Sequence, residues 1–370
     1  MAFPVYQCGK YKICKKQMKH ISVLIFLGFL LIACKELEIK DLWTVEVPNK
    51  TNQGIELRSI SDSITEITLE NHEDALITNV KEVVRIDSYF VVITFDHRIL
   101  IFEQSGKFFK VLGRQGDGPG EYRFVSAFGV DEDLRKFYIV SSKKVLVYTF
   151  EFELVDKFTL DFFISNLSFD KDKIYVISYE YEIPVDGGFA TETSMYILDK
   201  NFNGLDSIPI RRVVRKDRQA GWLGYSKFIS TNGFDDFIYA PVATNERFLR
   251  DTVFQLDTDR IIPYAKLRFA EPHLDERGIK RYFIANIFLA ANYLGSHYYK
   301  DGNDIYFFLY NRKTSKAYNF KGGPLDDEGD TVVLNILDAA NDTFYYVKTD
   351  GFSNTSKEEQ NPVIGIVMLK

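Results

Sequence analysis

Short apolar and aromatic runs, broken by Asp, Asn, Ser and Gly, recur along the chain and read as strands separated by tight turns. The first is Tyr89-Phe90-Val91-Val92-Ile93, which follows Asp87-Ser88 and leads into Ile99-Leu100-Ile101-Phe102 and a Ser105-Gly106 turn. A second copy runs Phe137-Tyr138-Ile139-Val140, then Val145-Leu146-Val147-Tyr148. Further copies begin at Ile174-Tyr175-Val176-Ile177, Phe237-Ile238-Tyr239, Ile305-Tyr306-Phe307-Phe308 and Phe344-Tyr345-Tyr346-Val347. Six copies spread from Tyr89 to Phe344 give about 51 residues per module, close to the roughly 40–50 of a four-stranded propeller blade. A two-sheet sandwich would rarely need six matching hairpins. The pattern therefore predicts an all-β chain folded as a six-bladed β-propeller over residues 51–370. Because a propeller brings its ends together, Asn361 to Leu369 is expected to pair in one blade with an early strand such as Ile64 to Leu69.

One stretch breaks the pattern. From Asp275 to Leu294, the residues Ile279, Tyr282, Phe283, Ile287, Ala290 and Leu294 stand at helical spacing, which predicts a short helical insertion. Asn286 and Asn292 on the apolar side favour a shorter helix that ends near Ile284, with Ile287-Phe288-Leu289 as a strand of the next blade.

Composition supports the β reading. The 370 residues include 22 Tyr and 32 Phe beside only 4 Met and 2 Trp, a surplus of flat side chains that suits pleated, half-buried surfaces. Net charge is −6, and residues 1–33 hold five Lys and no acid, so the remainder carries 41 basic against 52 acidic residues. Such a body repels phosphate backbones, and no nucleic-acid partner is expected.

The positive end has its own pattern. Met18-Lys19-His20 precedes an apolar run from Ile21 to Ala33 that ends at Cys34. Thirteen helical residues span roughly 20 Å against a hydrocarbon core of about 30 Å, so the run reads as a secretory signal and not as a spanning helix. Leu31-Ile32-Ala33-Cys34 resembles the lipobox of bacterial lipoproteins, in which the Cys is acylated and becomes the mature first residue. The expected organisation is an upstream extension at 1–17, a signal peptide at 18–33, a tether at 34–50 and then the propeller. Lipid attachment falls on Cys34, and two or more acyl chains anchor stably where one is marginal. The folded body holds no Cys, because the three in the chain are Cys8, Cys14 and Cys34. No disulfide framework, thiolate nucleophile or Cys-bound zinc is available to it.

The most specific motif is Gly113-Arg114-Gln115-Gly116-Asp117-Gly118-Pro119-Gly120-Glu121-Tyr122, preceded by Ser105-Gly106-Lys107-Phe108. It resembles the G-x-G-x-G-P-G-E-Y loop of the six-bladed β-propeller lipoproteins of Bacteroidetes, a group loosely related to NHL and TolB-like propellers. Asp251-Thr252-Val253-Phe254 with Ile262-Pro263-Tyr264 is similar to that group's D-T-V-Y segment and following strand. Asn361-Pro362-Val363-Ile364 is similar to its terminal strand. The resemblance spans Ile39 to Lys370 and implies an outer-membrane lipoprotein on the periplasmic face or the cell surface, without implying an activity.

Read physically, the three glycines and one proline of Gly116 to Gly120 suit a tight crossover between blades, with positive φ available at alternate positions. The other reading is a ligand-facing loop with Arg114, Asp117, Glu121 and Arg123 on its rim, where converging N–H groups could form an anion nest. It is not a P-loop, since no Gly-Lys-Ser/Thr follows. Candidate channel-mouth residues near loop ends are Asp96, His97, Arg98, Arg247 and Arg281. The acidic clusters Asp170-Lys171-Asp172, Asp257-Thr258-Asp259 and Asp326-Asp327-Glu328-Gly329-Asp330 offer oxygen ligands of the kind calcium takes, but none completes an EF-hand loop. No catalytic residue, metal or cofactor is assigned. Two functions remain: a monomeric, lipid-anchored module that binds a glycan, a peptide or an envelope protein, or a propeller enzyme of the lactonase, lyase or glycosidase kind with its site at the channel mouth. The absence of a zinc motif or a G-x-S-x-G elbow favours the module.

Overall fold

The computed structural model describes residues 42–218, 228–241, 248–257, 260–302, 304–349 and 360–370. The expected signal peptide, upstream extension and most of the tether lie outside them, as do Cys34 and Arg247. The body runs from Trp43 to Lys370.

Two strands precede the first complete blade: β1 (Trp43–Val47) and β2 (Ser61–Thr68). Blade one is β3 (Val80–Ile86), β4 (Tyr89–Thr94), β5 (Ile99–Glu103) and β6 (Phe108–Val111). Blade two is β7 (Ala127–Asp131), β8 (Lys136–Ser141), β9 (Lys144–Thr149) and β10 (Leu154–Thr159). Blade three is β11 (Asn166–Phe169) and three long strands, β12 (Lys173–Val185), β13 (Gly188–Asp199) and β14 (Gly204–Arg215). Blade four is β15 (Ile229–Thr231), β16 (Asp236–Ile238), β17 (Thr252–Asp257) and β18 (Arg260–Phe269). Blade five is β19 (Tyr282–Leu289), β20 (Tyr293–Lys300), β21 (Asp304–Asn311) and β22 (Lys316–Lys321). Blade six takes β23 (Asn335–Asp338), β24 (Thr343–Lys348) and β25 (Val363–Leu369) from the end of the chain.

The ring closes as the pattern predicts. The early strand β2 pairs antiparallel with β25, Ser61 opposite Leu369 and Thr68 opposite Val363, and forms the outer edge of blade six. The strand begins at Ser61, three residues before the expected Ile64, with a bulge between Ser61 and Ser63, and it ends at Thr68, one residue before the expected Leu69. Strand β1 pairs parallel with β18 and adds a fifth strand to blade four, so the folded body starts inside the segment expected as tether. Five of the six sequence copies fall on the second strand of a blade. The copy at Ile305 falls on the third, because β20 carries Gly295-Ser296-His297 where the other second strands carry bulky apolar residues.

The helical insertion is not present. Residues 282–289 are strand β19 and residues 293–300 are strand β20, while Asp275 to Ile279 is a reverse turn closed by Asp275 N to Ile279 O at 2.8 Å, with Gly278 at φ +76°. Asn286 explains the false period. It sits at a bulge between Ile284 and Asn286, where its Oδ1 accepts from the His297 N–H at 2.8 Å. One extra residue in an alternating strand shifts the apolar positions from period two toward the helical spacing.

Apolar side chains from facing blades interdigitate to make the core, as in the cluster that joins Phe128 and Phe137 of blade two to Ile93 and Ile101 of blade one. The aromatic surplus is used here. Phe137 stacks on Tyr148 at 5.3 Å, and Tyr298 on Tyr306 at 5.1 Å, across neighbouring strands.

Candidate channel-mouth site

In each blade the innermost strand lines the central axis. Turns between first and second strands open on one face of the disc, and the crossovers from blade to blade lie on the other.

The glycine loop is the crossover from blade one to blade two. Its backbone closes on itself through Gly116 N to Tyr122 O at 3.0 Å, Tyr122 N to Arg114 O at 3.1 Å and Glu121 N to Gly118 O at 3.1 Å. The Glu121 carboxylate accepts from the Gly118 N–H at 2.9 Å, so an anion already occupies the place where a nest would form. Lys144 Nζ donates to Gly118 O at 3.0 Å and to Glu121 O at 2.9 Å, tying the loop to blade two. Tyr122 is buried below it, its hydroxyl donating to Leu112 O at 3.2 Å and its pKa raised by that burial. The rim residues pair with one another. Arg123 forms an ion pair with Asp117, and Arg114 Nε lies 3.5 Å from Glu121 Oε1.

The positive φ expected within Gly116 to Gly120 is absent, and only Gly113 of this loop adopts it, at +68°. Glycine at 116 and 118 instead leaves room for the Glu121 carboxylate. A Cβ at Gly116 would stand 2.1 Å from Glu121 Oε2, and one at Gly118 would stand 3.0 Å from Glu121 Cδ.

Asp96, His97 and Arg98 form the turn between β4 and β5, beside the glycine loop on the crossover face. Gln115 Nε2 donates to Asp96 O at 2.8 Å, and the Val125 N–H reaches His97 Nδ1 at 3.4 Å. Arg98 donates to Asp96 Oδ2 at 2.8 Å and to the carbonyl of Leu76, which clamps the crossover from blade six to blade one. Burial, with Lys81 nearby, holds the His97 imidazole below its usual range. Arg281 lies apart from these on blade five, between Asp301 at 2.8 Å and Glu271 at 2.6 Å. The structure thus gathers Asp96, His97, Arg98 and the glycine loop, separates Arg281 from them, and ties most of their charged ends into structural pairs.

The open site is at the opposite end of the axis. There, a cavity of about 490 Å³ opens among the inner strands of blades one, two, three, four and six. Glu82 is buried on its blade-one wall, and Glu132, Asp133, Asp170 and Asp338 stand at turns around it. Two charges are paired: Asp131 Oδ2 with Lys200 Nζ at 2.6 Å, and Asp338 Oδ2 with Arg85 Nη2 at 3.4 Å. Burial, and then the Asp170 charge, push the carboxyl of the neighbouring Asp236 up to about 6. Asn166, Ser168, Ser230 and Thr231 add neutral polar groups to the wall. The site mixes these polar groups with apolar walls such as Phe128, Leu167 and Ile336, is net acidic, and is wide enough for a sugar ring or a peptide side chain. Asp170-Lys171-Asp172 stands in the sequence as one of three acidic clusters with calcium-type oxygen ligands, and a linear motif does not show that acidic turns of blades two, three and six converge beside the inner strands of blades one and four. Among the described residues, no three of His, Cys, Asp or Glu come together as a metal site.

A family model described as a domain of unknown function, DUF4934, matches residues 42–368. No curated protein sequence matches the chain. Among solved structures, a protein from Bacteroides fragilis NCTC 9343, BF0058, described as a candidate exported protein, is similar at a TM-score of 0.65 and 18% identity, covering 89% of this chain and 99% of that one. The Neurospora crassa Pan2 WD40 domain, at a TM-score of 0.44 and 10% identity, covers 78% of this chain and 75% of its own. BamB from Moraxella catarrhalis, at a TM-score of 0.42 and 12% identity, covers 83% of this chain and 100% of its own.

Proposed function

The chain belongs to the DUF4934 family, and from that premise we propose that it is a monomeric, lipid-anchored envelope module whose channel mouth binds a glycan, a peptide or a segment of an envelope protein. The observation that carries this reading is the cavity of about 490 Å³ at the end of the axis, walled by five blades and lined by hydroxyl, amide and carboxylate groups. Clefts with a few convergent polar groups are the usual places for ligands, and an acidic lining with low-dielectric walls attracts ligands that carry amines or many hydroxyls. An exported neighbour from Bacteroides supports an envelope location. The lipobox-like Leu31 to Cys34 adds the anchor and the outer membrane. The glycine loop supports kinship with NHL and TolB-like propellers, and serves as a crossover.

A thermal-shift screen of the purified chain against basic peptides and neutral oligosaccharides tests the reading, with Ser168→Trp as the variant that fills the mouth. A compound that stabilises wild type and leaves Ser168→Trp unchanged supports it. Compounds that stabilise both proteins equally place binding elsewhere and overturn it.

A further inference from the structure

The rim of the mouth carries a side chain that its polar lining does not account for. Phe234, in the turn between β15 and β16 of blade four, is 95% exposed, more than any other large apolar side chain among the described residues. The turn that presents it is held by its own polar groups. Asn232, itself buried, accepts through Oδ1 from the Phe234 N–H at 2.9 Å and the Asp235 N–H at 2.8 Å, and Thr231 Oγ1 accepts from the Gly233 N–H at 3.1 Å. Gly233 adopts φ +90°, and a Cβ there would stand 3.3 Å from the Ala340 Cβ. Thr231 and Ala340 both line the axial cavity, so the turn is part of its rim. A ring presented to water on a fixed turn forgoes the gain of burial, and aromatic side chains are enriched where partners dock.

The neighbouring charges select the partner. Asp131 is matched by Lys200 and Asp338 by Arg85, while Glu132, Asp133 and Asp170 add carboxylates to the lining against the amine of Lys171. The Asp170 charge also helps to hold the carboxyl of Asp236, two residues from Phe234, above its usual range, so acids of blades three and four share one field. A cleft of one sign with low-dielectric walls concentrates the opposite sign. We propose, resting on the reading of the mouth as the ligand site, that its ligand is a peptide segment whose basic side chain enters the acidic cavity while a neighbouring apolar or aromatic side chain packs on Phe234. Ring and carboxylates occupy different parts of the mouth, rim and wall, and adjacent residues of one peptide supply two such unlike groups side by side.

Biolayer interferometry of the full chain carrying Cys34→Ala over immobilised pentapeptides tests this, with Lys, Gln or Glu at the centre, Trp or Ser beside it, and maltohexaose as a neutral sugar. The Lys peptide with Trp should bind about ten-fold more tightly than its Gln and Glu counterparts and than the Lys peptide with Ser. Phe234→Ser should abolish the advantage of Trp over Ser and leave the Lys peptide with Ser bound as by wild type. Because this side chain is held in solvent, its loss tests contact with the ligand and spares the fold, which coincident thermal unfolding of Phe234→Ser and wild type checks. Asp133→Asn and Asp170→Asn should each weaken both Lys peptides. Equal binding of the Lys, Gln and Glu peptides, no binding of any peptide, or a Phe234→Ser protein that keeps the full Trp advantage overturns the proposal. Maltohexaose or a Glu peptide bound by wild type and lost in Ser168→Trp keeps the mouth as the ligand site and overturns the basic peptide. Ser168→Trp that binds the Lys peptide with Trp as wild type does overturns the mouth itself.

Discussion

Gly365 sits in the middle of β25, opposite Tyr346 of β24 and Glu66 of β2, at the point where the two ends of the chain close the ring. The Tyr346 ring lies flat over it, 1% exposed, and its hydroxyl donates to Glu66 Oε1 at 2.7 Å. A Cβ on residue 365 would stand 2.0 Å from Tyr346 Cζ and 2.2 Å from Cε1. Carbon atoms rest about 3.5–4.0 Å apart, so Gly365→Ala forces the ring out by about 1.5 Å. Overpacking of that kind costs about 1–3 kcal/mol, and the displaced hydroxyl gives up a hydrogen bond worth about 1 kcal/mol. The expected loss is about 3 kcal/mol. With an unfolding entropy of about 2.1 cal/mol/K per residue over the body from Trp43 to Lys370, that loss lowers the melting temperature by about 4 °C. Differential scanning calorimetry on Gly365→Ala, Tyr346→Ala and the double variant measures it as a cycle. Removal of the ring makes room for the methyl, so the double variant should be no less stable than Tyr346→Ala alone. A Gly365→Ala protein that melts with wild type, or a double variant that loses the sum of both single effects, refutes the ring-over-glycine account of the closure.

Other outcomes follow from the same reasoning. His297 is buried, and burial pushes its pKa down to about 4, so the unfolded chain binds more protons between about pH 6.5 and 4. Stability should therefore fall as pH drops through that window, by up to about 3 kcal/mol, and urea midpoints for wild type and His297→Gln should diverge from neutral pH downward; parallel pH profiles contradict it. In the glycine loop, Gly113→Ala should cost about 1 kcal/mol or more because of its positive φ, while Arg114→Ala on the exposed rim should change stability by less than about 0.5 kcal/mol; thermal unfolding of both variants compares them. Cys34→Ala should move the protein from the membrane fraction to the soluble fraction, and retention in membranes sinks the lipid anchor.

Most of the fold was legible because a propeller repeats one local event, the aromatic hairpin, and closes by a rule that joins its ends. Tyr89 to Ile93 and Phe344 to Val347 are alike because both must pack on two faces between blades. What could not be read was set by non-local partners. The parallel addition of β1 to β18 depends on a strand more than two hundred residues away, and five residues of alternation at Trp43 do not announce it. The bulge at Asn286 gave the first residues of β19, Tyr282 to Ile284, a helical spacing, while Ile287 to Leu289 beyond it read as the strand they are. The charged residues singled out beside loops were mostly consumed by packing: Arg98 clamps a crossover and Arg281 joins Asp301 to Glu271. The channel mouth was hidden for the opposite reason. Asp133, Asp170 and Asp338 look like ordinary turn residues, and only the ring brings their blades around one axis.

The central claim is that ligands reach this protein at the axial mouth bounded by the first turns of the blades. A photo-crosslinking amino acid placed at Lys171 in the mouth, and separately at Leu205 on the exposed outer strand of blade three, tests it in living cells. The account predicts a discrete adduct from position 171 that disappears when Ser168→Trp is added, and none from position 205. Adducts of equal yield from both positions, or none from position 171, contradict it.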